Sequence, residues 1–267
     1  MLLKCPFESP EINLTLELFL SKLESILKNQ LTAVYLHGSA VFEDLAPGYG
    51  DFDFLAVVGE DLSHEVQEKL LDFRKVLRSS NLGIYARMLE GEFLSRRMLK
   101  KGVKGRGVYW GTREERRSEE SSLDGFSMLV LITRGMLVYG TDIRNEISYV
   151  PLAELINSVR HHIKNIRENS RSTDGGVHSV EWLLMASRML LWVKEGKLSS
   201  KSEAASWAYE NCTGGWKKLL PQAVKIRKNP SLASDSEAKE WLKSLGPPAQ
   251  EACDELEKEL ILRGYTK

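Results

Sequence analysis

Two acids on an otherwise apolar strand constrain this chain more than any other feature of it. The segment Asp51-Phe52-Asp53-Phe54-Leu55-Ala56-Val57-Val58 has the aromatic and β-branched run of a buried strand. Side chains alternate along a strand, so Asp51 and Asp53 share one face while Phe52 and Phe54 point to the other, into a core. Carboxylates set into a sheet are costly unless paired or bound to metal. The residues alone leave two readings: a hard-oxygen site suited to Mg²⁺ beside phosphates, or a solvated strand end. Upstream, the β-type run at 32–36 ends at His37-Gly38-Ser39, followed by the turn-rich stretch Pro47-Gly48-Tyr49-Gly50. A Gly-Ser pair that closes a strand and opens a short helix frees backbone N–H groups for phosphate oxygens, and the Ser39 hydroxyl adds a donor.

The remaining pattern divides the chain. Helical periodicity is expected over 13–28 and over 63–79, the latter with Ser63 as N-cap. A third strand is expected at 83–89. The basic stretch from Arg96 to Arg106 reads as a helix end followed by a mobile loop, and 124–138 as a helix. Beyond about residue 150 the β signal disappears. Helices are expected there near 152–168, 178–194, 202–211, 215–228, 235–244 and 249–262, with a polar loop at 169–176. The fold class is α/β (α+β): a mixed sheet with helices over 1–148, then an all-α helical bundle over 149–267.

Composition excludes several classes of function. Lys plus Arg and Asp plus Glu both number 37, so no polyanion partner is demanded over the whole surface. The three cysteines, Cys5, Cys212 and Cys253, have neither CxxC nor Cys/His spacing, which argues against structural zinc and a disulfide framework. A reducing cytoplasm is the expected compartment. No apolar run approaches the roughly 18 residues of a membrane span, and Lys4, Glu8 and Pro10 come too early for a signal peptide. His161-His162 on a helix face directions about 100° apart and make no metal pair.

The stretch from Leu36 to Val58 resembles the DNA polymerase β-type nucleotidyltransferase superfamily. More closely, it is similar to the streptomycin/spectinomycin (aminoglycoside) adenylyltransferases, on Gly38, Ser39, Ala40, Val41, Leu45, Pro47, Asp51 and Asp53. Residues 187–207 resemble the helical-domain signature of the same family, with Arg188, Gly196, Lys197, Lys201, Ala204, Ala205 and Trp207 in register. The resemblance implies a polymerase-β-like domain followed by a helical one. It implies a Mg²⁺-dependent enzyme that transfers AMP from ATP to an acceptor hydroxyl. Asp51 and Asp53 would bind the metal and act in catalysis, and Gly38 and Ser39 would hold the β- and γ-phosphates. Arg188 and Lys201 would reach the triphosphate. The implied acceptor is an aminoglycoside-like small molecule. The alternatives are a protein or RNA acceptor, or a nucleotide-binding protein whose catalysis is lost or altered.

This chain departs from the pattern in several places. It has one more residue between Pro47 and the two acids, and Gly50 stands where a serine is usual. The superfamily carries a third carboxylate, the base for the attacking hydroxyl, on the strand after the Asp-x-Asp strand. The expected strand at 83–89 contains no acid, which leaves Tyr85 or Arg87 near the missing carboxylate and Glu90 and Glu92 just beyond it, close enough to swing in; Tyr85 and Glu90 are the further catalytic candidates. The family's drug-contacting acid aligns near His178, with Asp174 and Glu181 close enough to substitute. Arg227 lies where the family has a tyrosine near the nucleotide. The basic segment 96–117, with Tyr109 and Trp110 interleaved, has two readings: a phosphate- or nucleic-acid-facing flap in which Trp110 stacks on substrate, or a solvated helix and loop neutralised by Glu114, Glu115, Glu119 and Glu120.

Overall fold

The computed structural model describes residues 7–46, 48–171 and 174–265. Cys5, Pro47 and part of the polar loop at 169–176 lie outside the described residues. By contacts the chain divides into two compact units: Met1–Val41 with Gly50–Pro151, and Phe42–Tyr49 with Leu152–Lys267.

The first unit runs α1 (Pro10–Leu27), β1 (Leu31–Leu36), β2 (Phe52–Val58), α2 (His64–Ser79), α3 (Ile84–Met88), β3 (Leu89–Ser95), α4 (Arg96–Lys101), β4 (Gly105–Trp110), β5 (Glu115–Ser121), α5 (Gly125–Arg134) and β6 (Met136–Gly140). Its sheet has the order β5-β4-β3-β2-β1-β6. β2 and β3 are parallel, and every other neighbouring pair is antiparallel. β2 lies near the middle of the sheet and its residues from Phe54 to Val58 are buried, as a strand covered on both faces must be. α1 begins at the Ser9 cap with Pro10 in its first turn, and buries Leu16, Phe19, Leu20 and Leu23. Phe19 meets Phe54 with ring centroids 4.8 Å apart.

Three sequence expectations fail in this unit. The segment expected as a third strand is the short helix α3, and the strand begins only at Leu89. Ile84 and Met88 are spaced for a helical stripe as well as for strand alternation, and so short a run cannot decide between them. Tertiary contacts decide it. The buried guanidinium of Arg74 on α2 donates to the carbonyls of Ala86 (3.0 Å) and Arg87 (2.9 Å), which a helix C-terminus leaves without partners. The same side chain donates to the Gly111 carbonyl at 2.9 Å and so ties the end of β4 to the start of β3.

The basic stretch is not a mobile loop. It is α4 followed by the β4–β5 hairpin. β5 is an edge strand of almost wholly charged and polar sequence, which protects an open sheet edge but shows no hydrophobic alternation to read. Its acids pair across to β4 and the residue before it, Glu120 with Lys104 and Glu119 with Arg106. The helix expected at 124–138 stops at Arg134, and 136–140 forms β6 against β1.

The second unit is helical after residue 151: α6 (Leu152–Asn169), α7 (Ser179–Glu195), α8 (Lys201–Asn211), α9 (Leu220–Lys228), α10 (Ser236–Lys243) and α11 (Gly246–Leu262). α7 is buried on nearly all sides over 183–193, and it packs against α6, α8, α9 and α11 as the central helix. Caps set the helix starts: Ser200 accepts from the Glu203 N–H, and Asp235 from the Ala238 N–H. Cys212 and Cys253 are free and buried. Among the described residues no helix is long and apolar enough to cross a membrane.

Candidate active site

In the first unit the acids are placed by backbone geometry. The His37 N–H donates to the Asp53 carbonyl at 3.1 Å, which draws the turn after β1 against β2. Gly38 follows with φ +60°, and a Cβ there would lie 1.8 Å from Asp53 Oδ2. Only glycine allows the Asp53 carboxylate to lie over this turn. Asp51 directly precedes β2 and is exposed; Asp53 is half-buried, and Phe52 between them is fully buried on the other face.

The parallel register sets Glu90 of β3 opposite Asp53. The close approach of the two strands there depends on Gly91, where a Cβ would come within 2.0 Å of the Phe54 carbonyl oxygen. The Tyr109 hydroxyl donates to Glu90 Oε1 at 2.7 Å, and the Thr112 N–H donates to Oε2 at 3.3 Å. Burial, then the charge of Asp51, and less strongly that of Asp53, raise the Glu90 pKa to about 7, against the opposing effect of the two hydrogen bonds. The strand after β2 thus carries an acid beside Asp53, where the expected strand at 83–89 has none. The error was the placement of the strand, which begins six residues later than expected and carries Glu90 and Glu92. Glu92, one step further along the same face, is also raised to about 7, by burial first and by Asp124 second.

Among the described residues no three His, Cys, Asp or Glu side chains converge tightly enough to hold a metal ion by themselves. Mg²⁺ does not require such a cage, since it is commonly held by one or two carboxylates together with substrate phosphates and water. The donor set at Asp51 and Asp53 fits that mode. The crowding of negative charge that raises Glu90 is what a divalent cation would relieve.

The second unit builds a different cluster. Glu181, on the first turn of α7, accepts from Lys201 Nζ on Oε2 at 2.6 Å, and on Oε1 from the Tyr49 hydroxyl at 2.9 Å and from Arg227 Nη1. Arg227, only 2% exposed, also donates to the Asp44 carbonyl at 2.7 Å. The Asp44 carboxylate accepts from the Ser202 N–H at 3.1 Å and the Ser202 hydroxyl at 2.6 Å. Burial opposes ionisation of Glu181, yet the Lys201 and Arg227 charges prevail and hold its pKa down to about 2. Arg188 lies along α7, with Nε donating to the Ser199 carbonyl at 2.9 Å and its guanidinium 5.1 Å from the Phe42 ring centre.

Several expected site residues have other work. Trp110 is fully buried among Phe19, Phe54, Phe73 and Phe93, so it belongs to the core and not to a substrate surface. Tyr85 sits on α3 with its ring edge-on to Phe52 (5.9 Å), on the side of the sheet away from Asp51 and Asp53. Arg227 is committed inside the second unit, and Glu181 has both oxygens engaged by Lys201, Tyr49 and Arg227, whereas Asp174 is exposed and accepts from the Gly176 N–H at 2.7 Å. His178 is exposed and stands edge-on to Tyr49 at 5.2 Å. Sequence reading missed Asp44, Ser202 and Thr112, and the contact between Tyr109 and Glu90. Of these only Tyr109 carried a signal, as an aromatic in a segment whose strands had not been recognised.

Residues 147–247 match the family described as aminoglycoside adenylyltransferase, C-terminal domain. The crystal structure of spectinomycin adenyltransferase AAD(9) from Enterococcus faecialis, with ATP and spectinomycin, aligns with a TM-score of 0.70 at 17% identity, over 91% of this chain and 98% of that one. No curated protein matches the chain in sequence. The chain thus resembles the aminoglycoside adenylyltransferases and shares the nucleotidyltransferase fold of AAD(9), a mixed sheet followed by a helical region.

Proposed function

We propose that the chain is an ATP-dependent nucleotidyltransferase that moves AMP onto a hydroxyl group of a small, aminoglycoside-like acceptor. The observation that carries this reading is Glu90, set in register beside Asp53 with its pKa near neutrality. A carboxylate of that basicity suits the removal of a proton from an alcohol during attack. Its two hydrogen bonds fix it there, and both are compatible with the ionised form that a base needs.

In this reading Asp51 and Asp53 hold Mg²⁺, which supplies charge neutralisation at the phosphates. Gly38 and Ser39 present backbone and hydroxyl donors to phosphate oxygens. In the second unit, Lys201 and Arg188 are the residues that the family resemblance assigns to nucleotide phosphates, and cations of this kind suit that task. The acceptor oxygen attacks the α-phosphorus in line and loses its proton to Glu90. The bond from the α-phosphorus to the bridging oxygen breaks, and pyrophosphate leaves. The neighbouring fold crystallised with ATP and spectinomycin supports this class of donor and acceptor. The position of Glu90 favours this reading over a non-catalytic nucleotide binder. A nucleic-acid acceptor loses its main support, because basic residues of the hairpin are paired with its own acids or with α2.

Pyrophosphate release with ATP, Mg²⁺ and a panel of hydroxyl-bearing aminoglycosides and aminocyclitols tests the proposal. Turnover is expected on at least one of them, with Glu90→Gln slower by about 10²–10⁴ at a melting temperature no lower than the parent's, since the fold prefers this buried side chain neutral. Equal rates for the two proteins would remove Glu90 from the mechanism.

A further inference from the structure

Lys201 is the first residue of α8, where a helix offers free N–H groups to an anion. Two of those groups are already taken here: the Ser202 N–H by the Asp44 carboxylate and the Glu203 N–H by the Ser200 hydroxyl. The charge that this helix start offers an anion is the Lys201 ammonium. An ammonium has three donors, and Glu181 engages one of them, at 2.6 Å.

A lysine side chain carries about 2 kcal/mol of rotamer entropy, and a lone surface lysine loses it when it grips a phosphate. Lys201 has been relieved of that cost in advance. Its side chain is 19% exposed and pinned by a carboxylate that cannot itself swing, because Arg227 and Tyr49 hold the other oxygen. Arg227 is fixed in turn by Asp44, and Asp44 by Ser202, the residue after Lys201. The chain of contacts closes on itself around the ammonium.

We infer that Glu181 is a positioning residue for nucleotide binding: it holds the Lys201 ammonium with two donors directed to the polyphosphate. This rests on the reading of Lys201 as a phosphate contact. A carboxylate near a phosphate site would by charge alone weaken anion binding, so the sign of the effect separates the possibilities.

The test is calorimetric titration of the full chain with a nonhydrolysable ATP analogue and Mg²⁺, alongside thermal melting. Lys201→Met is expected to weaken binding about 10- to 100-fold, the size of a charge-assisted hydrogen bond. Glu181→Gln is expected to weaken it about tenfold by the same route. In the double variant the loss should match that of Lys201→Met alone, because Glu181 acts through the lysine. Tighter binding by Glu181→Gln would mean that the glutamate merely competes for the ammonium, and additive losses would mean a purely structural role; either overturns the inference. Unchanged binding by Lys201→Met would overturn the phosphate contact and the inference with it, whereas no binding by the parent chain would sink the proposed function itself. Should Glu181→Gln fail to fold, Glu181→Asp keeps the charge one methylene short, and it must still bind more weakly than the parent for the inference to stand.

Discussion

Glu90 and Glu181 are the same side chain in opposite electrostatic circumstances. Glu90 stands beside Asp51 and Asp53, receives only neutral donors from Tyr109 and Thr112, and is raised to about 7. Glu181 is held between Lys201 and Arg227 and is lowered to about 2. Burial pushes both upward, so the difference lies in the neighbouring charges. One cluster accumulates like charge and has a proton affinity that a reaction can use. The other balances its charges internally and holds side chains in place. A glutamate near a candidate site is therefore no guide to its role until the sign of its neighbours is known.

The sharpest way to break this contrast is to unbalance the second cluster. Arg227→Met leaves Glu181 and Asp44 without their buried partner, and removing one member of a buried ion pair costs about 3–5 kcal/mol. Denaturant unfolding should show a loss of that size. A loss under about 1 kcal/mol would place Arg227 with ordinary surface ion pairs and end the distinction. In the first unit the corresponding change is Gly38→Ala. The new methyl would meet the Asp53 carboxylate, in a backbone conformation that alanine avoids. Displacing a reacting group by about 1 Å costs roughly 10² in rate, so transfer activity should fall about that far. Activity at the parent rate would show that Asp53 does not need to lie over that turn.

The contrast also explains what the sequence could and could not tell. The two acids at the start of β2, the Gly-Ser turn and the helical second half were legible because each follows from local spacing: period two, a glycine at a strand end, period 3.6 without strand-like runs. The strand carrying Glu90 was not, because Ile84-Tyr85-Ala86-Arg87-Met88 fits either period, and what makes it helical is Arg74, a residue on another element. The β4–β5 hairpin was lost for the opposite reason, since a charged edge strand has no pattern to read. Trp110 looked available because it lies in a basic stretch, but its side of β4 faces the core. In the second unit, the family resemblance marks Glu181, Lys201 and Arg227 singly. Nothing local says that they share one set of hydrogen bonds, or that Asp44, far away in sequence, completes it.

A smaller effect sharpens the first cluster. Tyr109→Phe removes the hydroxyl that donates to Glu90 Oε1 at 2.7 Å and keeps the ring. A hydrogen bond to a charged group is worth about 1.5 kcal/mol or more, which is roughly a tenfold change in rate if the bond orients the base. Single-turnover measurement of AMP transfer should show a loss near tenfold, with binding of the nucleotide unchanged. An equal loss in nucleotide binding would mean that Tyr109 shapes the pocket and does not orient the base.

The mildest test uses pH, and its strength is that the two kinds of cluster respond with opposite sign. Glu181 has a folded pKa of about 2 against about 4.3 unfolded. Its ionisation therefore stabilises the fold above pH 4.3, and that contribution drains away as pH falls toward 2. Glu92 is the reverse case: burial and Asp124 raise it to about 7 while Arg116 opposes, so the fold prefers it neutral. Its contribution is complete below pH 4.3 and is lost as pH rises through 7. Glu92→Gln, neutral at every pH, should melt progressively above the parent between pH 5 and 8, by a few degrees at most. Glu181→Gln should melt below the parent at pH 5 and above, and the gap should close toward pH 2. Melting curves of the three proteins at pH 3, 5 and 8 check both slopes. Parallel slopes would mean that Glu92, like Glu181, has a cationic partner strong enough to balance it, and the division between crowded and balanced carboxylates would then no longer follow the division between the two units.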